Sequence, residues 1–388
     1  MTRSTTLNRR AFLETGAAAG TALGLAGAAM AAEASTIRVG VIGCGKVSHK
    51  YLLHLSNCPY VTLVSTCDIV PERAKAQSEK YHVPNHYPNI ESMLQGAPFD
   101  LLVNLTDMQE HERLNRQALA AGKNIWSEKP LANSLAAGQA LLETAHSKGL
   151  RIWAAPVVVV SPQFEFMAKT LADGQLGQLA AAHGSYGHAG PNWSSFFFEN
   201  GGGSLPDLAV YQLTTLTGLL GPAKSVVAMT SVITPTREIE GQGEIRVTAE
   251  DNAMVLMDHG NGVISHVQSG FSYFSPKGHF SGEEEYHTIK IVGTEGTIGL
   301  VGYDWDPRGV DLATSSAREL QRFATDTREY AWEMGASLAA QCLATRSDML
   351  IAPEHSLHVL EVIQATRESQ TTGRRISLRS TFKWPVVA

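Results

Sequence analysis

The chain has 388 residues, of which 44% are hydrophobic and 18% are charged, and its formal net charge is −6. These values describe a folded protein with a sizeable core and about two or three domains. They argue against nucleic acid as a partner, because the net charge is negative and no basic patch is interleaved with aromatic residues. The four cysteines show no metal-ligand spacing and are too few for a disulfide framework, so we expect neither a metal site nor disulfides.

Residues 1–34 are predicted to be an export signal rather than part of the fold. Arg9-Arg10-Ala11-Phe12-Leu13 precedes a weakly apolar run rich in Ala and Gly, a pattern that resembles a twin-arginine signal. Ala29-Met30-Ala31 and Ala32-Glu33-Ala34 both suit cleavage, and the run has too few Leu and Ile residues for a bilayer span. We therefore expect a periplasmic or secreted protein without a stable membrane span. The alternative is an uncleaved anchor or a flexible tail.

The first stretch of the predicted fold is typical of a dinucleotide-binding turn. A β-branched apolar run stops at Gly43, a turn with two glycines follows, and a helical pattern comes next. We expect Gly43 to allow the tight turn, Gly45 to let the backbone approach a pyrophosphate, and the helix start at Lys46 and Val47 to present free N–H groups to phosphates. The third glycine position is Ser48, so the fingerprint is imperfect, and a tight turn in some other α/β domain is the alternative.

An acidic residue follows at the place where a ribose-binding acid belongs. The next apolar run ends in Asp68, which comes 25 residues after Gly43. A carboxylate there repels a 2′-phosphate, which favours NAD over NADP. Arg73 is near enough in the sequence to keep NADP open.

Residues 35–155 are predicted to form a doubly wound α/β domain of the Rossmann type. Strand-like runs alternate with helical patterns, which implies a parallel sheet with right-handed crossovers. Strands are predicted at 99–105, 124–126 and 151–160, and helices at 71–80, 112–121 and 134–148. Gly122 and Gly149 are expected to end the last two helices in the left-handed conformation.

The pattern changes after Ser161, and residues 156–388 are predicted to form an α+β domain with an open, mostly antiparallel sheet. Strand-like runs with short connections occur at 226–233, 254–257, 263–268, 288–292 and 298–301. Asn261-Gly262 and Gly293-Thr294-Glu295-Gly296 are predicted to be turns between neighbouring strands. The end of the chain is predicted to be helical at 329–345 and 355–371.

A first candidate catalytic residue directly follows a strand of the parallel sheet. Ligands lie outside the carboxyl ends of such strands, so Lys129 in Ser127-Glu128-Lys129-Pro130 is predicted to lie near a nicotinamide. The alternative is a simple strand-end turn.

A second candidate group follows a run of three glycines, 201–203, which would let the backbone come close to a ligand. Ser204 is a candidate helix N-cap, and Asp207 and Tyr211, four residues apart, share one helical face. The alternative is a carboxylate that only complements the helix dipole, with Tyr211 in the core.

The sequence resembles the glucose–fructose oxidoreductase and inositol dehydrogenase (Gfo/Idh/MocA) family from Ile37 to about Ser380. The matching motifs occur in the family's order: Gly43-Cys44-Gly45, Asp68, 100–106 with His111, 121–124, 128–131, 174–177, 201–205 with Asp207, and 293–296. The resemblance implies hydride transfer between a nicotinamide C4 and a carbinol carbon, on a sugar or cyclitol. It also implies a homo-oligomer, a dimer or tetramer, in which open sheet faces pack on each other.

The resemblance also implies roles for individual residues. Lys129 would hydrogen-bond the reacting hydroxyl, where a cation stabilises alkoxide character and can relay a proton. Asp207 would orient the substrate or join that relay, Thr106 and His111 would lie in a loop near the cofactor, and the bond before Pro130 would be cis. The predicted catalytic residues are thus Lys129, Asp207 and Tyr211, and the predicted cofactor-binding residues are Gly43, Gly45, Lys46, Val47, Asp68, Thr106, His111, Glu128 and Lys129.

Two positions depart from the family pattern. Tyr211 stands where members often carry His, and Asp107 stands where they usually have Pro. A tyrosine has an unperturbed pKa near 10, against about 6.5 for His. Tyr211 could act as an acid/base if Lys129 stabilised its phenolate, or could only position the substrate, or could mark an activity that has drifted.

Several aromatic and histidine residues have an open role. Trp193 and Phe196, Phe197 and Phe198 could cover the cleft and stack on sugar rings, or could pack in a core or subunit contact. His183 and His188 could approach the substrate, but lone histidines are more often structural.

The sequence therefore predicts an exported NAD(P)-dependent oxidoreductase that acts on a carbohydrate or polyol. Nicotinamide nucleotides are scarce outside the cytoplasm, so we expect the cofactor to be tightly bound and regenerated on the protein. One alternative is a glycosidase that oxidises a sugar transiently and reduces it again. Another is a non-catalytic binder of nucleotide and sugar.

Overall fold

The computed structural model describes residues 36–274, 286–326 and 330–387. The predicted export signal at 1–34 lies outside the described residues. Within them, the chain forms two large sheets, each packed against its own helices.

The first sheet contains six parallel strands in the order β3-β2-β1-β4-β5-β6. The predicted doubly wound fold is therefore confirmed. The strands are β1 (Ile37–Ile42), β2 (Val61–Cys67), β3 (Asn85–Tyr87), β4 (Leu101–Asn104), β5 (Asn124–Ser127) and β6 (Ile152–Ala154). The helices are α1 (Ser48–Ser56), α2 (Pro71–Lys80), α3 (Ile90–Gln95), α4 (His111–Ala120) and α5 (Leu135–Ser147). The strand order reverses between β1 and β4, which places a ligand-binding crevice at their carboxyl ends.

Local sequence explains these elements. The central strands are apolar along their length, with Val39, Val41 and Leu102 fully buried, because helices cover both faces of the sheet. Helix α2 begins at Pro71 as predicted, and Gly122 and Gly149 follow α4 and α5 with φ angles of 75° and 63°, also as predicted.

The predicted strand at 151–160 is wrong beyond Ala154. The chain leaves β6 there and forms a 3₁₀ turn at Val158–Val160. Pro156 lacks the N–H group that a strand would donate, and the valines are buried in the core rather than paired in the sheet.

The second sheet has nine strands in the order β16-β15-β14-β13-β7-β12-β11-β8-β17, and all neighbours except β7 and β12 are antiparallel. The strands are β7 (Leu179–Gly187), β8 (Ser225–Ser231), β11 (Asn252–Asp258), β12 (Ile264–Gly270), β13 (His287–Gly293), β14 (Gly296–Tyr303), β15 (Asp306–Thr314), β16 (Ala317–Phe323) and β17 (Ile376–Ser377). A separate two-stranded ribbon contains β9 (Thr236–Ile239) and β10 (Gly243–Arg246). The predicted mostly antiparallel sheet and both predicted turns between its strands are confirmed.

Four helices belong to this half of the chain: α6 (Pro162–Ala172), α7 (Val210–Leu220), α8 (Gly335–Thr345) and α9 (Pro353–Thr372). The prediction of helix from residue 329 is wrong for 330–334, because α8 begins only at Gly335, where an added Cβ would lie 2.1 Å from Trp126. None of the helices in the described part of the chain is long and apolar enough to cross a bilayer.

The two faces of the second sheet differ. Helices α7 and α9 cover one face, and β8, β11 and β12 alternate buried and exposed residues. The exposed positions on the other face are largely apolar: Val227, Met229, Met254, Leu256 and Ile264 are between 43% and 75% exposed. Such a patch is typical of an interaction surface rather than of an ordinary solvated face.

Candidate active site

The glycine turn after β1 uses its two glycines for different physical reasons. Gly43 has φ +88°, and a Cβ on it would lie 2.5 Å from the Leu105 backbone and 2.7 Å from Thr106 N. A Cβ on Gly45 would meet nothing within 4 Å. Ser48 is buried and its hydroxyl donates to the Gly45 carbonyl at 2.7 Å, so a small polar residue closes the turn where the pattern has a third glycine. The open side of Gly45 fits the approach of a pyrophosphate.

The acid after β2 lies against this turn. Asp68 is 7% exposed, and its carboxylate accepts the N–H groups of Cys44 at 2.7 Å and Val70 at 2.8 Å. Asp107 lies at the surface of the loop after β4. Partial burial of its carboxyl raises its pKa, and the nearby carboxylates of Asp68, Glu110 and Glu199 raise it further. A second acidic group therefore lies close to the predicted ribose-binding position.

The loop after β4 is held by a buried histidine. His111 is 1% exposed, and its ring nitrogens lie 2.8 Å from the Pro130 carbonyl oxygen and 3.0 Å from that of Thr106. Burial lowers the pKa of His111. The imidazole therefore ties the loop after β4 to the turn after β5, and its ring nitrogens face protein carbonyls.

Glu128 fixes the backbone from which Lys129 projects. The Tyr51 hydroxyl donates to Glu128 Oε1 at 2.5 Å, and the Lys129 N–H donates to Glu128 Oε2 at 3.1 Å. The Lys129–Pro130 bond is cis, so this prediction is confirmed.

Lys129 and Asp207 meet between the two halves of the chain. Lys129 Nζ donates to Asp207 Oδ1 at 2.6 Å and to the Asp207 carbonyl oxygen at 3.1 Å. Their side chains are only 12% and 13% exposed. Low exposure strengthens such a pair and makes either charge costly without the other.

A π-helical turn presents Asp207. Leu205–Ala209 form this turn directly before α7, and wide turns of this kind are frequent at functional sites. The predicted capping role of Ser204 is wrong: its side chain caps nothing, and its hydroxyl lies 3.5 Å from the Ser269 carbonyl oxygen. The sequence shows Pro206 near the helix start, but no signal for the wider turn.

The glycines before this turn pack against protein rather than a ligand. A Cβ on Gly202 would lie 2.4 Å from the Phe196 carbonyl oxygen, and one on Gly203 would lie 2.3 Å from Glu250 Oε1. The expectation of a close approach to a ligand is therefore wrong at these two positions, because the space in front of them is filled.

Tyr211 lies beneath the ammonium group but does not exchange a hydrogen bond with it. Lys129 Nζ lies 5.4 Å from the centroid of the Tyr211 ring, a cation–π distance. Burial raises the pKa of Tyr211 well above 10, and the carboxylates of Glu128 and Asp207 raise it further. These surroundings disfavour the phenolate form of Tyr211. Of the three roles left open for this residue, the acid/base role is therefore the one that the structure argues against.

We expect Tyr211→Phe to lower kcat by less than about tenfold and to leave the shape of the pH–rate profile unchanged. The phenol stays neutral at working pH, whereas removing a true general acid/base costs about 10²–10⁴-fold. The measurement is kcat from pH 6 to pH 10. A basic limb that disappears in the variant would restore the acid/base role.

A cavity of about 830 Å³ lies beside Lys129 and Asp207. Trp193, Phe197 and His188 are among its lining residues, whereas Phe198 is fully buried in the core. His183 lies on the exposed sheet face, 6.1 Å from His266 by ring centroids, and does not reach the cavity.

The aromatic segment also contacts the glycine turn. Lys46 Nζ lies 5.1 Å from the Trp193 ring centroid, and the Gln109 side-chain amide donates to the Phe196 carbonyl oxygen at 2.8 Å. Val47 lines the same cavity as Lys129. A smaller space between the glycine turn and Lys129 is lined by seven of the nine predicted cofactor-binding residues: Gly45, Lys46, Val47, Thr106, His111, Glu128 and Lys129. Gly43 and Asp68 are not among its lining residues, and Asp68 supports the turn by accepting the Cys44 N–H. The open Gly45 and the nearby Lys129 fit a dinucleotide.

Comparisons with known proteins agree with this geometry. Residues 37–155 match the oxidoreductase family with an NAD-binding Rossmann fold, and residues 164–299 match the GFO/IDH/MocA C-terminal domain. D-apiose dehydrogenase of Rhizobium rhizogenes is 23% identical over 87% of this chain and 96% of its own length. Trans-1,2-dihydrobenzene-1,2-diol dehydrogenase of Bos taurus is 23% identical over 70% of this chain and 76% of its own length.

Solved structures share the fold. A levoglucosan dehydrogenase in complex with NADH and levoglucosan has a TM-score of 0.76 at 19% identity, and covers 88% of this chain and 99% of its own. Two matched domains in the family's order, with the expected sheet in each, decide the assignment. The chain belongs to the Gfo/Idh/MocA family of oxidoreductases, with an NAD-binding Rossmann domain followed by the family's C-terminal domain.

Proposed function

We propose that the protein transfers hydride between a bound nicotinamide and a carbinol carbon of a carbohydrate or polyol. The observation that carries this proposal is the Lys129–Asp207 pair, which lies beside a large cavity and next to the glycine turn. The relatives named as D-apiose and dihydrodiol dehydrogenases support a substrate with a CH–OH group.

The chain's own residues would bind the hydroxyl and manage its proton. When bound, the nicotinamide supplies hydride acceptance and donation. The Lys129 ammonium donates a hydrogen bond to the reacting oxygen and stabilises its developing negative charge. Asp207, already paired with Lys129 at 2.6 Å, holds the ammonium in place and accepts a proton from it or from the hydroxyl.

We propose NAD rather than NADP as the cofactor. A 2′-phosphate would meet the carboxylates of Asp68 and Asp107, whose proximity is reflected in the raised pKa of Asp107. Arg73 lowers the pKa of Asp107 and is the group that would favour NADP.

The test starts with protein purified from its native compartment. Mass spectrometry of the nucleotide that the denatured protein releases should give NAD, and the dialysed protein should still hold it. The holoprotein should then change its absorbance at 340 nm with one member of a panel of aldoses and polyols. Release of NADP would overturn the cofactor choice, and a panel without response would overturn the substrate class.

Export and cofactor retention form a separate proposal, based on the pattern at 1–34. The contacts of Trp193 with Lys46 and of Gln109 with Phe196 support retention, because they narrow the cofactor cleft. A nucleotide-free protein after dialysis would contradict it.

The same contacts favour the glycosidase alternative as a second candidate. A cycle that oxidises, eliminates, hydrates and reduces needs no cofactor exchange. Release of free sugar from a glycoside, with bound-nucleotide absorbance unchanged at completion, would identify it.

We also propose a homo-oligomer built through the exposed face of the second sheet. Met229→Lys combined with Leu256→Lys should give monomers in light scattering after size exclusion, because the two positions are 75% and 48% exposed on a shared apolar face. Leu53→Lys, at a 54% exposed position on α1, is the matched control. An unchanged mass for the double variant would refute this interface.

A further inference from the structure

The cavity beside Lys129 is richer in aromatic faces than in available polar groups. Besides Trp193 and Tyr211, its lining includes Trp305, Trp332 and Tyr273, which come from separate segments of the second half of the chain. At about 830 Å³ it lies in the upper part of the range for sites that enclose drug-sized ligands. A nicotinamide ring and a single sugar ring beside Lys129 would together leave part of that space to water.

The polar groups of the lining near Lys129 are engaged with protein, whereas Lys50 and Asn192 in the same lining are exposed. Lys129 pairs with Asp207, Glu128 accepts hydrogen bonds from Tyr51 and Lys129, and His188 Nδ1 accepts the Gly190 N–H at 2.9 Å. These groups can serve one reacting carbinol and its neighbours. They do not provide the many donors and acceptors that a second fully hydroxylated ring would need.

Two of the tryptophans are held in fixed orientations. Trp305 stacks on Tyr303 with centroids 5.3 Å apart and planes 7° apart, and its Nε1 donates to the Tyr186 hydroxyl at 2.9 Å. Trp332 contacts Tyr51 edge to face at 5.5 Å. Tyr330, two residues before Trp332, donates to the Asp304 carbonyl oxygen at 3.2 Å, which ties the Trp332 segment to the turn that carries Trp305. Rigid aromatic faces bind flat apolar groups with little loss of side-chain entropy.

We infer that the substrate is a glycoside with an aromatic aglycone, whose sugar meets Lys129 and Asp207 and whose aryl group packs on Trp305 and Trp332. This inference rests on the proposed function and deepens it. The sugar hydroxyl would hydrogen-bond the polar groups at Lys129 and Asp207. The aryl ring would bury the aromatic lining that a free sugar leaves exposed to water.

The test compares phenyl and methyl glycosides of glucose, galactose, mannose and xylose by calorimetry on the holoprotein. For the sugar that binds, the phenyl glycoside should have a Kd at least tenfold lower than the methyl glycoside. In Trp305→Leu and Trp332→Leu the ratio of the two Kd values should fall towards 1. Trp384→Leu, which changes a 46% exposed tryptophan outside this cavity, should keep the native ratio. Melting temperature and nucleotide content show that each variant is folded.

Each outcome decides between the two proposals. Equal Kd values for the phenyl and methyl glycosides, a phenyl preference that survives both cavity variants, or tighter binding of cellobiose than of phenyl glucoside would overturn the aryl site. Absorbance changes at 340 nm with free sugars but no binding of any aryl glycoside would overturn the aryl site alone. Aryl binding without turnover of any sugar, polyol or glycoside would overturn the proposed function and keep the aryl site.

Discussion

Lys129→Met is expected to lower kcat by about 10³-fold while the protein keeps its nucleotide. The ammonium donates to the oxygen that becomes negative as hydride leaves, and removing one such donor or proton relay costs about 10²–10⁴-fold. The assay is the absorbance change at 340 nm with the sugar or polyol that gives the largest response with native protein. Lys75→Met is the matched control, because Lys75 only forms an exposed pair with Glu79 at 3.7 Å. Its kcat should equal that of the native protein.

A loss of folding has to be separated from a loss of catalysis here. Removing Lys129 leaves the poorly exposed Asp207 carboxylate unpaired, which destabilises the protein independently of chemistry. The double variant Lys129→Met/Asp207→Asn removes both charges and should recover most of the lost free energy of unfolding. Its kcat should stay as low as that of the single variant, because residues that act as a unit are not additive. A Lys129→Met protein with kcat within tenfold of native would favour the non-catalytic binder.

The first domain was largely predictable because its signals are local. The central strands are apolar runs bounded by turn residues, and the helices carry their own start and stop signals, such as Pro71 and Gly122. The short edge strand β3 is polar, with the sequence Asn-His-Tyr, and was not predicted. The edge strand β16 and the ribbon β9–β10 gave no such signal. Their residues are mostly exposed and polar, so the alternation that reveals a half-buried strand is missing.

The site was predictable as a set of residues, but its internal arrangement was not. Motif order indicated that Lys129 and Asp207 converge, and they are paired in the structure. The role of Tyr211 depended on geometry. The same sequence is compatible with Lys129 over the face of the Tyr211 ring, as observed, and with Lys129 beside the Tyr211 hydroxyl. The π-helical turn and the packed glycines likewise depend on contacts with residues such as Glu250, which lie far away in the chain.

The two glycines of the first turn should respond differently to the same substitution. Gly43→Ala should lower the free energy of unfolding by about 3 kcal/mol or more, because φ +88° is strained for alanine and the new Cβ would overlap the Leu105 backbone. Gly45→Ala should change it by less than about 1 kcal/mol, since a Cβ there meets nothing within 4 Å. The measurement is urea unfolding of nucleotide-free protein.

For NAD binding, in contrast to the free energy of unfolding, Gly45→Ala should be the damaging substitution. The Gly45 Cβ would enter the space in which a pyrophosphate approaches the helix start, so Gly45→Ala should bind NAD at least tenfold more weakly despite its intact fold. Gly122→Ala is the control for strain without overlap: its φ is 75° and its surroundings are open, so about 1 kcal/mol should be lost with NAD affinity unchanged. If Gly45→Ala kept native affinity, the phosphates would have to bind elsewhere, and the alignment of the cofactor with Lys129 would no longer follow from this turn.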